Sequence, residues 1–292
     1  RTSDGPAAGV GGSLCTDGAH RPTQFALKPQ NLCKGIPRMD QSYSQLAETL
    51  ARSLRLAQPP VAVCFPDTVP ASVPAHEGHA PAGCRFWRDA ATAAFTTSSS
   101  DHALCTVGCY THNLELSAAE QSELQESLAV FGSLGYVTSE DLPLIPVLNR
   151  RPKHVVYAPL AQSPLPPEVV LLFGDASQAL IVSEAVQQVE HRNPPALGRP
   201  ACAVISQVAN TGLAALSLGC CGARAYVDAF TADLVLCALP GAKLAAYVER
   251  IAALAAANSI LSQFHQRRGQ DVAAGAAPTV KESLAAMNTP QP

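Results

Sequence analysis

The chain has 292 residues, 47% of them hydrophobic, which is enough to bury one large core or two small ones. Its 20 basic and 23 acidic side chains leave a formal charge of −3, so nothing in the charge balance points to nucleic acid. Its closest approach to a membrane span, "AAYVERIAALAAA" (245–257), contains Glu249 and Arg250 and falls short of the roughly 20 apolar residues required, so no membrane partner is expected.

Residues 1–38 are rich in Gly, Pro, Thr and polar side chains and show neither helical nor strand periodicity. They read as an unstructured leader or tail, which leaves Cys15 and Cys33 without a functional role. No basic patch followed by an apolar run marks a secretory signal. The expected compartment is therefore the reducing cytoplasm, where clustered cysteines more often bind metal or do chemistry than form disulfides.

From Met39 the pattern changes. Leu46, Leu50, Leu54 and Leu56 set an amphipathic helical stripe. A strand follows at "PVAVCF" (60–65), then a Pro- and His-rich loop (66–82). A helix is predicted over "CRFWRDAATAAF" (84–95), a strand around "ALCTVG" (103–108), and a helix over 117–135. Strands are predicted at 154–160 and 168–174, with Asp175 or Ser177 capping the helix that comes next. "ACAVISQ" (201–207), "LAALSLG" (213–219) and "ADLVLCAL" (232–239) read as further strands, before a long helix over 241–267. Residues 269–292 read as a flexible tail. Short apolar strands interleaved with helices predict an α/β fold: a single domain over 39–268, with a mixed, largely buried sheet flanked by helices.

Ten cysteines are many for such a chain. Cys64 and Cys237 lie inside apolar strand runs and read as plain core, since free cysteine is among the most buried residue types. Cys84 follows Gly83 at a helix start, where the dipole and free N–H groups favour a thiolate. "DHALCTVGCYTH" (101–112) holds Cys105, Cys109, His102 and His112, but as a zinc motif it lacks a second paired half. "SLGCCGAR" (217–224) places Cys220 where a strand gives way to a turn, the usual ligand end of an open α/β sheet. Arg88 and Arg224 are candidate anion ligands.

Four stretches together, "AGCRFWRDA", "DHALCTVGCYTH", "DASQALIVSEA" and "SLGCCGARAY", resemble the family called domain of unknown function 169. The resemblance covers roughly residues 50–250 and implies a single-domain, prokaryotic, cytoplasmic protein. It implies no reaction. Cys84, Cys105 and Cys220 match the family's cysteine motifs, and Cys109, Cys202 and Cys221 match less closely.

Three readings stay open. In the first, Cys84, Cys105, Cys202 and Cys220 hold a metal centre, foremost an iron–sulfur cluster, because such clusters often draw thiolates from separate segments. Three ligands would leave an iron open to a small molecule; four would suit electron transfer with a redox partner. In the second, a metal-free enzyme uses the thiolate of Cys220 or Cys105 as nucleophile, with His102 or His112 as base and Arg88 or Arg224 holding an anionic substrate. In the third, the cysteines are packing. Deleting residues 1–38 is expected to leave the thermal unfolding midpoint within a few degrees of the full chain, as scanning calorimetry of the two proteins would show.

Overall fold

Successive side chains of a strand point to opposite faces of its sheet, and here both faces are covered. In the computed structural model, which describes residues 42–227 and 231–287, every residue of β1 (Val61–Cys64), β3 (Val155–Pro159) and β4 (Val169–Gly174) is buried. With β2 (Phe95–Thr97), β5 (Ala196–Leu197), β6 (Ala215–Ser217) and β7 (Val235–Pro240) they form a seven-stranded sheet ordered β2-β3-β1-β4-β7-β6-β5. Only β5 and β6 pair in parallel, so the sheet is mixed. The α/β class expected from the strand and helix pattern is the one observed. Residues 1–38, read as an unstructured leader or tail, lie outside the described residues, and Cys15 and Cys33 with them.

Alternation divides the interior in two. Val61, Val63, Val169, Leu171, Phe173, Leu236 and Ala238 face one core, together with α2 (Arg85–Asp89), α3 (Thr106–Thr111), α6 (Ala203–Thr211) and α7 (Cys221–Tyr226). The intervening Ala62, Val170, Leu172, Cys237 and Leu239 face the second core, against α1 (Tyr43–Leu54), α5 (Ala176–Glu190) and α8 (Leu244–Ala273). Cys64, next to Val63, packs with Val73 and Val156 in a third, small cluster. Cys64 and Cys237 are thus sorted away from the first core, where the other buried cysteines lie.

Local signals explain most of the helices. Ser42 and Gln45 form a capping box on α1. Of the two caps proposed for α5 it is Asp175 that accepts from the Gln178 amide, at 2.8 Å, while Ser177 donates to the same carboxylate. At the other end of α5 the fully buried Glu190 carboxylate accepts from the Ala214 amide at 2.8 Å and from the Tyr247 hydroxyl, and pairs with Arg192 at 2.8 Å. That knot joins α5, β6 and α8.

Three expectations are corrected. The strand predicted over 103–108 is a turn leading into α3, although Thr106, Val107 and Gly108 are poor helix formers. Thr106, Gly108, Cys109 and Thr111 are buried, and that packing outweighs propensity. Residues 201–207 form the start of α6, not a strand; a short apolar run does not distinguish the two by itself. The helix predicted over 84–95 ends at Asp89, and β2 follows.

The C-terminal stretch is also more ordered than a tail. α8 continues to Ala273, and after a turn at Gly275 (φ +83°) Thr279 and Glu282 cap α9 (Val280–Met287), which packs back on α8. By length and composition the segment Gly241–Ala273 is apolar enough to cross a membrane, which the sequence pattern did not suggest. Its first half is spoken for by the protein itself, because Leu244, Tyr247, Val248 and Ile251 are buried in the second core with α1 and α5.

Where β7 ends, a Cβ on Gly241 would stand 1.7 Å from the Pro167 carbonyl oxygen, which no side-chain rotation relieves. Gly241→Ala is therefore expected to destabilise the fold by about 2–3 kcal/mol, read as a lower urea midpoint at unchanged slope.

Candidate functional site

Four cysteines occupy equivalent places in the first core. Cys84, Cys105, Cys202 and Cys220 are the N-cap residues of α2, α3, α6 and α7. All four line one cavity of about 430 Å³. Cys84 and Cys202 are buried, whereas Cys105 and Cys220 are half-buried. The four act on one another electrostatically. Burial first, then Cys105 and Cys220, push the Cys84 thiol up to about 12. Cys202 is raised well above its ordinary range by burial and then by Cys105, with Cys220 and Cys84 adding to it, while a 3.2 Å hydrogen bond from the Thr111 hydroxyl opposes the shift. At the outer end of the row, Cys220 Sγ accepts from the Ala223 amide at 3.5 Å. The thiolate expected for Cys84 from its helix start is corrected: the helix is only five residues long, and desolvation outweighs its dipole.

Cys105 sits between two glycines. A Cβ on Gly108 would meet its sulfur at 3.0 Å, and one on Gly83 would lie 3.9 Å from the same atom and 3.0 Å from His102 Nδ1. Both glycines line the cavity, and their amides draw the Cys105 thiol down against the larger effect of its burial. Behind the cysteines lies the fully buried Tyr157 on β3, whose hydroxyl has no hydrogen-bond partner among the described residues. That hydroxyl is within electrostatic reach of Cys202, Cys105, Cys84 and Cys109. An unpaired buried donor of this kind costs free energy, and it would be satisfied by an anionic sulfur.

The remaining candidates stand outside the cavity wall. His102 is buried behind Cys105, with Nε2 3.1 Å from the Thr97 hydroxyl; burial and then His112 and His76 lower it to about 3. His112 packs on Phe65 and on His102, and burial lowers it to about 4. Neutral imidazoles this weakly basic are poor general bases near pH 7. Arg224 is spent on the carbonyls of Leu218, Thr231 and Leu234, bracing the loop before β7. Arg88 is half-buried on α2, and Asp89 pairs with Arg85 and His76, each at 3.2 Å. Cys109 is wholly buried and its thiol points to the carbonyls of His102 and Ser99.

The outer wall comes from a segment the sequence did not single out. After α4 (Ala118–Ser133) the chain presents Tyr136, Asp141 and Leu144, and the opposite rim carries Arg199. Arg199 stacks over the Tyr136 ring at 4.3 Å and faces Asp141 at 3.8 Å. The Tyr136 hydroxyl meets Cys221 Sγ at 3.3 Å. The one sequence signal was "GRPAC" (198–202), an arginine three residues before a candidate cysteine.

Among the described residues the eight cysteines are all free of disulfides. No group of three or more Cys, His, Asp or Glu side chains there closes on a point tightly enough for one metal ion. The four cysteines ring a volume instead. Fold and cavity together define an α/β protein built around an apolar pocket with a floor of thiols. The chain belongs to the family described as domain of unknown function 169, uncharacterised ArCR, whose profile matches residues 49–250. No curated protein and no solved structure matches it.

The buried imidazoles make stability depend on pH. Unfolded, His112 takes up a proton near pH 6.5; folded, only near pH 4. The unfolded chain therefore binds more protons in that window, and stability falls as pH drops through it. His112→Gln should lessen the dependence of unfolding free energy on pH between 6.5 and 4 by about 1 kcal/mol per pH unit, measured by urea titration at several pH values.

Proposed function

We propose that this protein is a cysteine-ligated metal protein, with an iron–sulfur cluster held by Cys84, Cys105, Cys202 and Cys220. The observation that carries the reading is that four N-cap thiols from four separate helices line a single cavity. Iron–sulfur clusters are held by cysteine thiolates around a multi-atom core. They need sulfurs spread around a volume, not closed on one point. The surroundings fit such a group. Gly83 and Gly108 leave room where a Cβ would crowd Cys105, and Tyr157 offers an unpaired hydroxyl toward the sulfurs. When bound, the cluster would supply one-electron chemistry or, with one iron open, a Lewis acid. The protein's own residues would hold it, keep water from it and tune it through hydrogen bonds to sulfur.

Burial also weighs against a metal-free enzyme that uses Cys84, Cys105 or Cys202 as its thiolate. Raised thiol pKa values keep Cys84, Cys105 and Cys202 protonated near neutrality, and the neighbouring imidazoles are too weakly basic to take those protons. A metal reverses the balance, since binding displaces the proton from each thiol.

Anaerobically purified full-length protein is expected to contain iron and acid-labile sulfide and to absorb visibly. Replacing any of the four cysteines by Ala should abolish the absorption or cut iron content several-fold. Cys64→Ala and Cys237→Ala, on strands facing the other clusters, should keep the spectrum and cost on the order of 1 kcal/mol of stability. Colourless, iron-free protein from anaerobic cells would overturn the metal reading in favour of a metal-free, small-molecule-binding protein.

A further inference from the structure

The cavity is larger than its thiol floor, and its outer half is built differently. Phe131, Val137, Leu144 and Ile145 give that half an aliphatic and aromatic wall. The volume of about 430 Å³ falls within the range of small-molecule pockets. Among the described residues that line it, Arg199 is the single cation. Its guanidinium carbon stands 4.3 Å from the centroid of the Tyr136 ring, and no hydrogen bond among the described residues takes up its N–H groups, which remain available to a planar anion. The facing Asp141 stands at 3.8 Å, beyond hydrogen-bond distance, with both side chains more than two-fifths exposed. So loose and solvated a pair is worth little, and an incoming anion can compete with it. Tyr136 remains a neutral donor at physiological pH, because burial and the contact with Cys221 push its hydroxyl up to about 12.

We propose that the outer half of the cavity binds a small carboxylic acid with an apolar body, whose carboxylate is taken by the Arg199 guanidinium and whose chain lies against Phe131, Val137 and Ile145. A planar guanidinium matches a carboxylate in bidentate geometry. The apolar wall excludes a ligand that is polar throughout. This goes beyond the metal reading: it uses the same cavity but none of the thiols.

The test is isothermal titration of the anaerobically purified full chain with sodium octanoate, octan-1-ol and octylamine, with iron measured in every preparation. Octanoate should bind and octylamine should not. Arg199→Gln should weaken octanoate at least about tenfold while leaving octanol and the iron content as in the parent. Asp141→Asn, which removes the competing carboxylate, should bind octanoate more tightly. The proposal is overturned if octanoate shows no binding at millimolar concentration, if octylamine binds as well, if Arg199→Gln binds octanoate as the parent does, or if Asp141→Asn binds it no better. Absence of iron would remove the metal reading and leave this one standing. Failure of octanoate to bind would remove this one alone.

Discussion

A pleated strand has two faces and no third choice, and this constraint organises the molecule. Along β1, β4 and β7 it sends alternate side chains into two separate cores. Cys237 falls on the side of α1, α5 and α8, and Cys64 against Val73 and Val156. Every cysteine that lines the cavity comes instead from helix starts stacked on the opposite face. A shift of one residue in the register of β4 would exchange the faces of Val169, Leu171 and Phe173 with those of Val170 and Leu172. The platform under the thiols would go with it.

On that platform, burial and ionisation oppose each other. An apolar wall around four thiols favours their neutral forms, yet the local backbone is arranged for negative sulfur. Amides of Gly83 and Gly108 reach Cys105, those of Cys84 and Arg85 reach Cys84, and Ala223 donates to Cys220. Burial prevails in the bare protein. The unpaired hydroxyl of Tyr157 lies within electrostatic reach of the same thiols. The imidazoles of His102 and His112 are buried and pack on one another outside that wall.

Much of this was legible in the chain. Apolar runs marked β1, β3, β4 and β7, and Asp175 announced α5 with Gln178 three residues on; the capping boxes at Ser42 and Ser117 went unread. The reading failed where a short apolar run had no flanking signal, as at 201–207, and where small polar residues disguised a buried helix, as at 106–111. The helix predicted over 241–267 runs on to Ala273, and the Thr279–Glu282 capping pair ahead of α9 was overlooked. Of the candidate site, Cys84 and Cys220 were legible as lying at a helix start and a strand end, whereas the helices that Cys105 and Cys202 begin were read as strands. Arg199 was not. Its importance arises only when the segment after α4 folds over the cavity and brings Tyr136 beneath it.

The chain's single tryptophan stands inside this arrangement. Trp87 is wholly buried on α2, three residues from Cys84, with its ring 6.1 Å from that of Phe173 and no partner for its indole N–H among the described residues. An indole in so dry a setting emits toward the blue. The protein therefore carries a built-in optical reporter within its first core, one that senses the packing around α2 without any label being attached.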